Sequence, residues 1–391
     1  MKCYVLEGEW SPKEGYCLNE REKRDHRAAR GNLVWKNLRA GIVTREDPQI
    51  RDDEVLIRVG ACGVCGSDMH AAEMDDEGYT KFSGHLRLPV IMGHEFAGEV
   101  VEVGKDVKDY RVGDLIAAEQ IRWCGKCPSC RIGKFNNCYE LEEIGLSADG
   151  AFSEYAVVPE KYCCNINGIA ELLGNKQAAM EAGALSEPTG VAYNGMMING
   201  KGVTPGSHVA VFGSGPIGLA AIALARAAGA AKVFAFDTVN EKLELAKKVG
   251  ADFTYNPVEL AKQGSSAADA VMEDTAGIGC KMIVEAAGNP DRTYPDIVQL
   301  MSIGANVVQL GMRGGLSQID LTPFLIKGCA FTGSLGTAGN AIIPSVLRMM
   351  EQGNIDMRKI ITGRYHLDLT AEAIEDAKSG VHGKILVSQN Y

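Results

Sequence analysis

The chain has 391 residues, of which 46 % are hydrophobic and 23 % charged, and a formal net charge of −10. That length accommodates two domains, each with its own core, and the composition excludes disordered and fibrous classes. The acidic balance argues against a nucleic-acid or anionic-membrane surface; MKCYVLEGEW carries no signal-peptide pattern, and no apolar run reaches the roughly 18 residues that span a bilayer.

Residues 10–45 mix lysine, arginine, aspartate and glutamate without a period that assigns them to an element. EVLIRVG (54–60) and GEVVEV (98–103) read as strands, with Gly and Asp punctuating the stretches between them. The first 190 residues hold few helical periods and many short strand-like runs, which predicts a β-rich, barrel-like unit carrying loops. From about residue 205 strands and helices alternate. HVAVFG (208–213), KVFAFD (232–237), KMIVEAAG (281–288) and ANVVQLGM (305–312) read as strands. IGLAAIALARAAG (217–229) and NEKLELAKKVG (240–250) read as helices, the second with Asn240 as its expected N-cap. This rhythm predicts a doubly wound parallel sheet. GKILV (383–387) reads as a final strand that can rejoin the first domain. No internal repeat or low-complexity tract is present.

Cys124, Cys127, Cys130 and Cys138 form a C-x2-C-x2-C-x7-C array within 15 residues. Thiolates this close can wrap one tetrahedral Zn2+ at roughly 2.3 Å each and leave no position for substrate, so the array predicts a closed structural site. An iron–sulfur cluster or four unrelated thiols are the competing readings. Trp123, Gly125, Lys126 and Pro128 suit a tight, exposed knuckle, and Lys126, Arg131 and Lys134 can offset the excess negative charge. Twelve cysteines in a long chain without a secretion pattern predict reduced thiols, some of them metal-bound, in the cytoplasm.

Gly213-Ser214-Gly215-Pro216-Ile217-Gly218 is a G-x-G-x-x-G run. Such a run alone says little, and a glycine turn kept for packing is the bland alternative. Here it follows an apolar strand and opens a helix, and Asp237 ends the next strand, as a dinucleotide fingerprint requires. Gly213 permits the tight turn, Gly215 the approach of pyrophosphate, and Gly218 close helix–strand packing. Asp237 is expected to accept hydrogen bonds from the adenosine ribose and to repel a 2′-phosphate. Thr238-Val239-Asn240 offers no arginine to such a phosphate, so NAD is expected over NADP.

A second candidate metal set is Cys65 in CGSDMH, His94 and Glu95 in GHE, and Glu187 in SEP. Thiolate, imidazole and carboxylate suit a catalytic zinc with an open position. Each residue alone has an ordinary reading as core or surface. In order, CGSDMH (65–70), GHE (93–95), the cysteine quartet, SEP (186–188), GSGPIG (213–218) and FD (236–237) resemble the zinc-containing medium-chain dehydrogenases/reductases over about residues 50–390. The glutamate followed by proline at 187–188 is similar to the sorbitol dehydrogenase-like branch.

The resemblance implies an α/β protein with a GroES-like β-barrel catalytic domain (1–188 and 337–391) and a Rossmann cofactor domain (189–336). It implies two zincs per chain, one on Cys65 and His94 with Glu95 and Glu187 as acidic partners whose order is left open, the other on the cysteine quartet. Asp68 would orient His94 through its second ring nitrogen. Pro216, Ile217 and Lys242 join the glycines and Asp237 as cofactor-binding residues. In the implied chemistry a zinc-bound alkoxide gives a hydride to NAD, with Cys65 and Glu187 at the catalytic zinc. The proton leaves through Ser67, the cofactor ribose and His70. His70 as a plain surface residue is the alternative.

EGY (77–79), W-C-G-x-C (123–127) and EPT-x-VAYN (187–194) are similar to inositol- and inosose-type dehydrogenases of the family, which implies a polyol or cyclitol substrate. Glu73, Asp75, Asp76 and Glu77 either face that substrate or form a solvated acidic loop. A zinc alcohol dehydrogenase for primary or simple alcohols, and a non-catalytic NAD- and zinc-binding protein, are the rival functions. A homodimer or homotetramer is expected around CAFTGSLG (329–336), with no nucleic-acid or membrane partner.

Overall fold

The computed structural model describes residues 1–312 and 315–391. Its larger mixed sheet runs Cys163–Asn165, Leu115–Ala118, Glu95–Val103, Glu54–Gly63, Lys384–Ser388 and Ile361–His366, with Tyr155–Pro159 also pairing on Glu54–Gly63. Every residue of the long central strand Glu54–Gly63 except Arg58 is buried, because neighbours cover both of its faces. Val55, Ile57, Val59, Phe96, Val100 and Ile116 build the core beneath it. The C-terminal strand enters this sheet, with Leu386 opposite Gly63 and Val387 opposite Cys62. This rejoining brings residues from the chain's far end to the segment that precedes Cys65.

The second sheet has six parallel strands in the order Phe253–Tyr255, Lys232–Phe236, His208–Phe212, Cys280–Glu285, Met301–Gln309 and Ala330–Gly333. The sequence order reverses at His208–Phe212, the crevice where doubly wound sheets bind ligands. Pro216–Ala227 follows that strand as a helix with Pro216 at its first position, where a missing N–H costs nothing. Leu219 to Ala225 are all buried, so this helix is sandwiched rather than amphipathic. Phe212 and Phe236 stack on neighbouring strands at 4.6 Å.

Three expectations change. Asn240 is not an N-cap: the helix Asn240–Val249 begins on Asn240, and Val239 holds the cap position without a side-chain bond. Asp237 Oδ1 already binds the Val239 N–H at 2.9 Å, and Asn240 Oδ1 accepts from Asn256. Second, the first 193 residues are more helical than their periods suggest, with consecutive helices at Asn167–Leu173, Lys176–Ala184 and Ser186–Tyr193. Residues 179–184 and 186–190 are buried on every side, so no polar stripe marks the helical period. Third, residues 10–45 are ordered into elements. Lys2–Trp10 pairs antiparallel with Trp35–Thr44, and Glu20–Asp25 is a helix with an Asn19/Glu22 capping box. Glu22 is buried, and its carboxylate accepts from Tyr16 Oη and from the Asn19 and Ala29 N–H groups, each at 2.8 Å. The helix is six residues long and is set by capping and side-chain-to-backbone bonds rather than by an apolar face, so it leaves no period to read.

Candidate active site

The turn after Glu54–Gly63 opens the short helix Gly66–Ala72, with Cys65 at its N-cap. Asp68 is fully buried; its Oδ2 accepts the Cys65 N–H at 2.9 Å, and its Oδ1 faces His94 Nδ1 at 3.5 Å. That leaves His94 Nε2 on the other side of the ring, 3.3 Å from Ser67 Oγ. One metal-ligand atom each from Cys65, His94 and Glu95 lies within 4.8 Å of the others. Burial disfavours a charged His94, yet the Asp68 and Cys65 side chains outweigh it and hold its pKa well above the ordinary value.

The two acidic partners are held differently. Both oxygens of Glu95 face Lys384 Nζ, at 2.7 and 2.6 Å, and the pair is sealed from solvent. A Cβ on Gly63 would come within 2.2 Å of Glu95 Oε2, so this carboxylate rests directly on bare backbone. Glu187 stands outside the three-residue cluster, where Gln120 Nε2 donates to its Oε1 at 2.7 Å. Burial, then the Glu95 charge, pushes the Glu187 carboxyl up to about 7. Glu143 is pushed up to about 7 by burial, then by Glu187, with His94 opposing.

Three of these residues carried no signal in the sequence: Lys384, Gln120 and Glu143. Lys384 reaches the site only because the last strand pairs beside Gly63, and Glu143 stands in a two-residue strand, Glu142–Glu143. The donor set itself fits zinc: a thiol, a ring nitrogen oriented from behind by a carboxylate, and a carboxylate at the front. A divalent cation there would supply positive charge to a site crowded with Glu95, Glu143 and Glu187.

His70 is on the exposed side of its helix, and its Nδ1 lies 3.9 Å from Glu73 Oε2. Ser67 is half-buried between that surface and His94. The acidic stretch is largely tied down by cations. Asp75 and Glu77 pair with Lys13, while Glu73 approaches Lys81 and Lys378. Asp75 also accepts the Glu77 and Tyr79 N–H groups, so it serves as a turn cap.

The four cysteines of the 124–138 array again have ligand atoms within 4.8 Å of one another. Gly125 adopts φ +75°, as the knuckle requires. Backbone N–H groups of Lys126 and Cys127 point at Cys124 Sγ, and those of Cys124 and Glu140 at Cys138 Sγ. Backbone donors, Tyr139 first, lower the Cys127 thiol to about 6, and burial raises Cys130 to about 12. A thiolate-rich nest of this kind fits a closed tetrahedral zinc. The lobe packs on the segment near residue 339, where a Cβ on Gly339 would meet the Phe135 ring at 2.4 Å.

At the parallel sheet, Gly213 has φ +91° and its Cβ would strike the Ala287 backbone, while a Cβ on Gly218 would sit 1.8 Å from Gly213 O. A Cβ on Gly215 would meet nothing within 4 Å, so the approach to the helix N-terminus is open. Asp237 Oδ2 accepts the Ser214 N–H at 2.7 Å, which ties the acid to the glycine turn. Pro216 and Ile217 line the first helical turn, and Lys242 is half-buried early in the next helix.

Residues 51–168 match the alcohol dehydrogenase GroES-like domain, and residues 216–352 match the zinc-binding dehydrogenase model. The chain is 34 % identical over 386 residues to scyllo-inosose 3-dehydrogenase of Thermotoga maritima, covering 96 % of each protein. The chain belongs to the zinc-containing medium-chain dehydrogenase/reductase family. It is also 34 % identical over 349 residues to L-threonine 3-dehydrogenase of Pyrococcus abyssi, covering 89 % of this chain and 94 % of that one. A solved Thermotoga maritima structure, provisionally described as an alcohol dehydrogenase, superposes with TM-score 0.94 at 32 % identity over 99 % of both chains. Members of this family are oxidoreductases of the alcohol and polyol dehydrogenase class, and this chain is one of them.

Proposed function

We propose that the protein oxidises a secondary hydroxyl of a polyol or cyclitol to a ketone, with NAD as hydride acceptor and one proton released. The observation that carries this reading is the Cys65–His94–Glu95 cluster, backed by Asp68 and bordered by two further carboxylates. A zinc ion held by Cys65 and His94, with Glu95 or Glu187 completing the set, lowers the pKa of a substrate hydroxyl when bound. Asp68 holds the His94 ring so that Nε2 faces the cluster. Lys384 fixes Glu95, and Gln120 fixes Glu187, which limits where each carboxylate can move. Ser67 takes the proton first, and His70 delivers it from the exposed face of its helix to water. The quartet Cys124, Cys127, Cys130 and Cys138 holds a second, structural zinc.

Asp237 supports NAD over NADP. Its carboxylate sits at the end of Lys232–Phe236, where a 2′-phosphate would meet negative charge. The catalytic unit comprises residues 1–188 and 337–391, and the cofactor unit residues 189–336. A homodimer or homotetramer is supported by the edge strand Ala330–Gly333 and by exposed apolar side chains at Leu321, Leu325, Ile326, Phe331 and Leu335.

The test is NADH formation by zinc-loaded protein across scyllo-inosose, myo-inositol, xylitol, L-threonine and ethanol. Turnover of the cyclitols or xylitol is expected. Turnover confined to L-threonine or to ethanol would overturn the substrate class, and tight NAD binding with no turnover at all would overturn the activity.

A further inference from the structure

We propose that Glu143 is a specificity group whose carboxyl hydrogen-bonds hydroxyls of the bound cyclitol or polyol. This rests on the function proposed above and deepens it.

Glu142 and Glu143 pair antiparallel with Ile121 and Arg122, so their side chains point to opposite faces. Glu142 spends its carboxylate on Arg27 and on Arg122, the latter at 3.8 Å. Glu143 therefore turns the other way, toward the side where His94 and Glu187 are its charged neighbours.

The main chain holds it there. The Glu143 N–H donates to Ser147 Oγ at 2.8 Å, and its carbonyl accepts from the Leu146, Ser147 and Ala148 N–H groups. The next residue, Ile144, donates to Gln120 O at 2.9 Å, which ties Glu143 to the residue that binds Glu187. The same loop is clamped to the turn carrying His94. A Cβ on Gly145 or Gly150 would approach Gly93 O to 2.7 or 2.2 Å, and the Ala151 N–H donates to Gly93 O at 2.9 Å.

What distinguishes Glu143 from the other acids is that its acceptors are uncommitted. Asp68 is bound to the Cys65 N–H, Glu95 to Lys384 and Glu187 to Gln120. Among the described residues no hydrogen bond or ion pair engages the Glu143 carboxylate, although the residue is only half-exposed. A carboxyl group offers two oxygens that accept and, when protonated, an O–H that donates, which suits vicinal hydroxyls and nothing in a hydrocarbon ring.

The experiment compares wild type, Glu143→Gln and Glu143→Leu, all zinc-loaded, on myo-inositol, scyllo-inosose and cyclohexanol. Glu143→Leu is expected to lower kcat/KM for the cyclitols by about ten- to a hundredfold, chiefly through KM. Turnover of cyclohexanol should hold or rise, and Glu143→Gln should fall between. Equal losses on cyclitols and cyclohexanol, or loss of bound zinc in both variants, would assign Glu143 to support of the site and overturn the proposal. Unchanged ratios would overturn it too. If the function reading itself is wrong, wild type fails on the cyclitols before any substitution is made.

Discussion

Replacing Lys384 by methionine deletes the cation that faces both oxygens of Glu95, in a pair whose side chains are each only 1 % exposed. At contacts of 2.6 and 2.7 Å the attraction is about 6 kcal/mol with an effective dielectric near 20. Removing one partner of a buried pair typically costs about 3–5 kcal/mol, because the survivor is left charged and unsolvated. Val64 O also loses its 2.9 Å bond from Lys384 Nζ. If the chain unfolds as one unit, its length implies an unfolding entropy of about 0.8 kcal/mol per degree, so Lys384→Met should lower the midpoint by about 4–6 °C. Thermal scans with and without chelator check this. The loss should be larger without metal, since a zinc ion beside Glu95 would supply part of the missing charge. The double variant Glu95→Leu/Lys384→Met should recover most of the stability while remaining inactive, because neither charge is then stranded. Unchanged midpoints in Lys384→Met, or single losses that simply add in the double variant, would refute the argument.

Cys127→Ser should release one zinc per chain and lower the thermal midpoint before it alters cyclitol turnover; metal content that stays at the wild-type value would contradict a structural site. Asp237→Ala should raise KM for NAD and narrow its advantage over NADP, and because the same carboxylate binds the Ser214 and Val239 N–H groups, the glycine turn should loosen as well. A cofactor preference that does not move would remove Asp237 from the ribose site. Burial alone would raise Glu181, yet Arg364 and Tyr391 outweigh it and hold its pKa below the ordinary carboxylate value. Its contribution to stability is therefore present above the unfolded value near 4.5 and lost as pH falls through the lower, folded one. Arg364→Ala should destabilise at pH 7 and converge with wild type in acid; a gap that stays constant in denaturation curves down to acid pH would count against the pair.

Much of the fold was legible where the local pattern matches the tertiary environment. Four parallel strands, His208–Phe212, Lys232–Phe236, Cys280–Glu285 and Met301–Gln309, are apolar runs because helices cover both faces of the sheet, and they sit within a few residues of where the sequence puts them, whereas the short edge strand Phe253–Tyr255 was not legible. The helices between Asn167 and Tyr193 were not legible, since all-round burial erases the polar face that marks a helix. Asn240 misled as a cap because it already lies inside the helix and its Oδ1 is taken by the Asn256 amide. The long acidic stretch could be read two ways until Lys13, Lys81 and Lys378 were seen to converge on it from other parts of the chain.

For the site, the sequence alone determined which chemistries were available. Closely spaced thiols, a glycine turn between strand and helix, and the donor types Cys65, His94, Glu95 and Glu187 are local or compositional facts, and metal and phosphate chemistry depends on exactly such atoms. Only the tertiary structure decided how those atoms are committed: Glu95 to Lys384, Glu187 to Gln120, and Glu143 to no described partner. These commitments span up to 289 residues of chain. They arise because the C-terminal strand pairs beside Gly63 and the 142–150 loop closes on Gly93. Long-range pairing of this kind leaves no periodic trace in the residues it joins, and so it had to be seen folded.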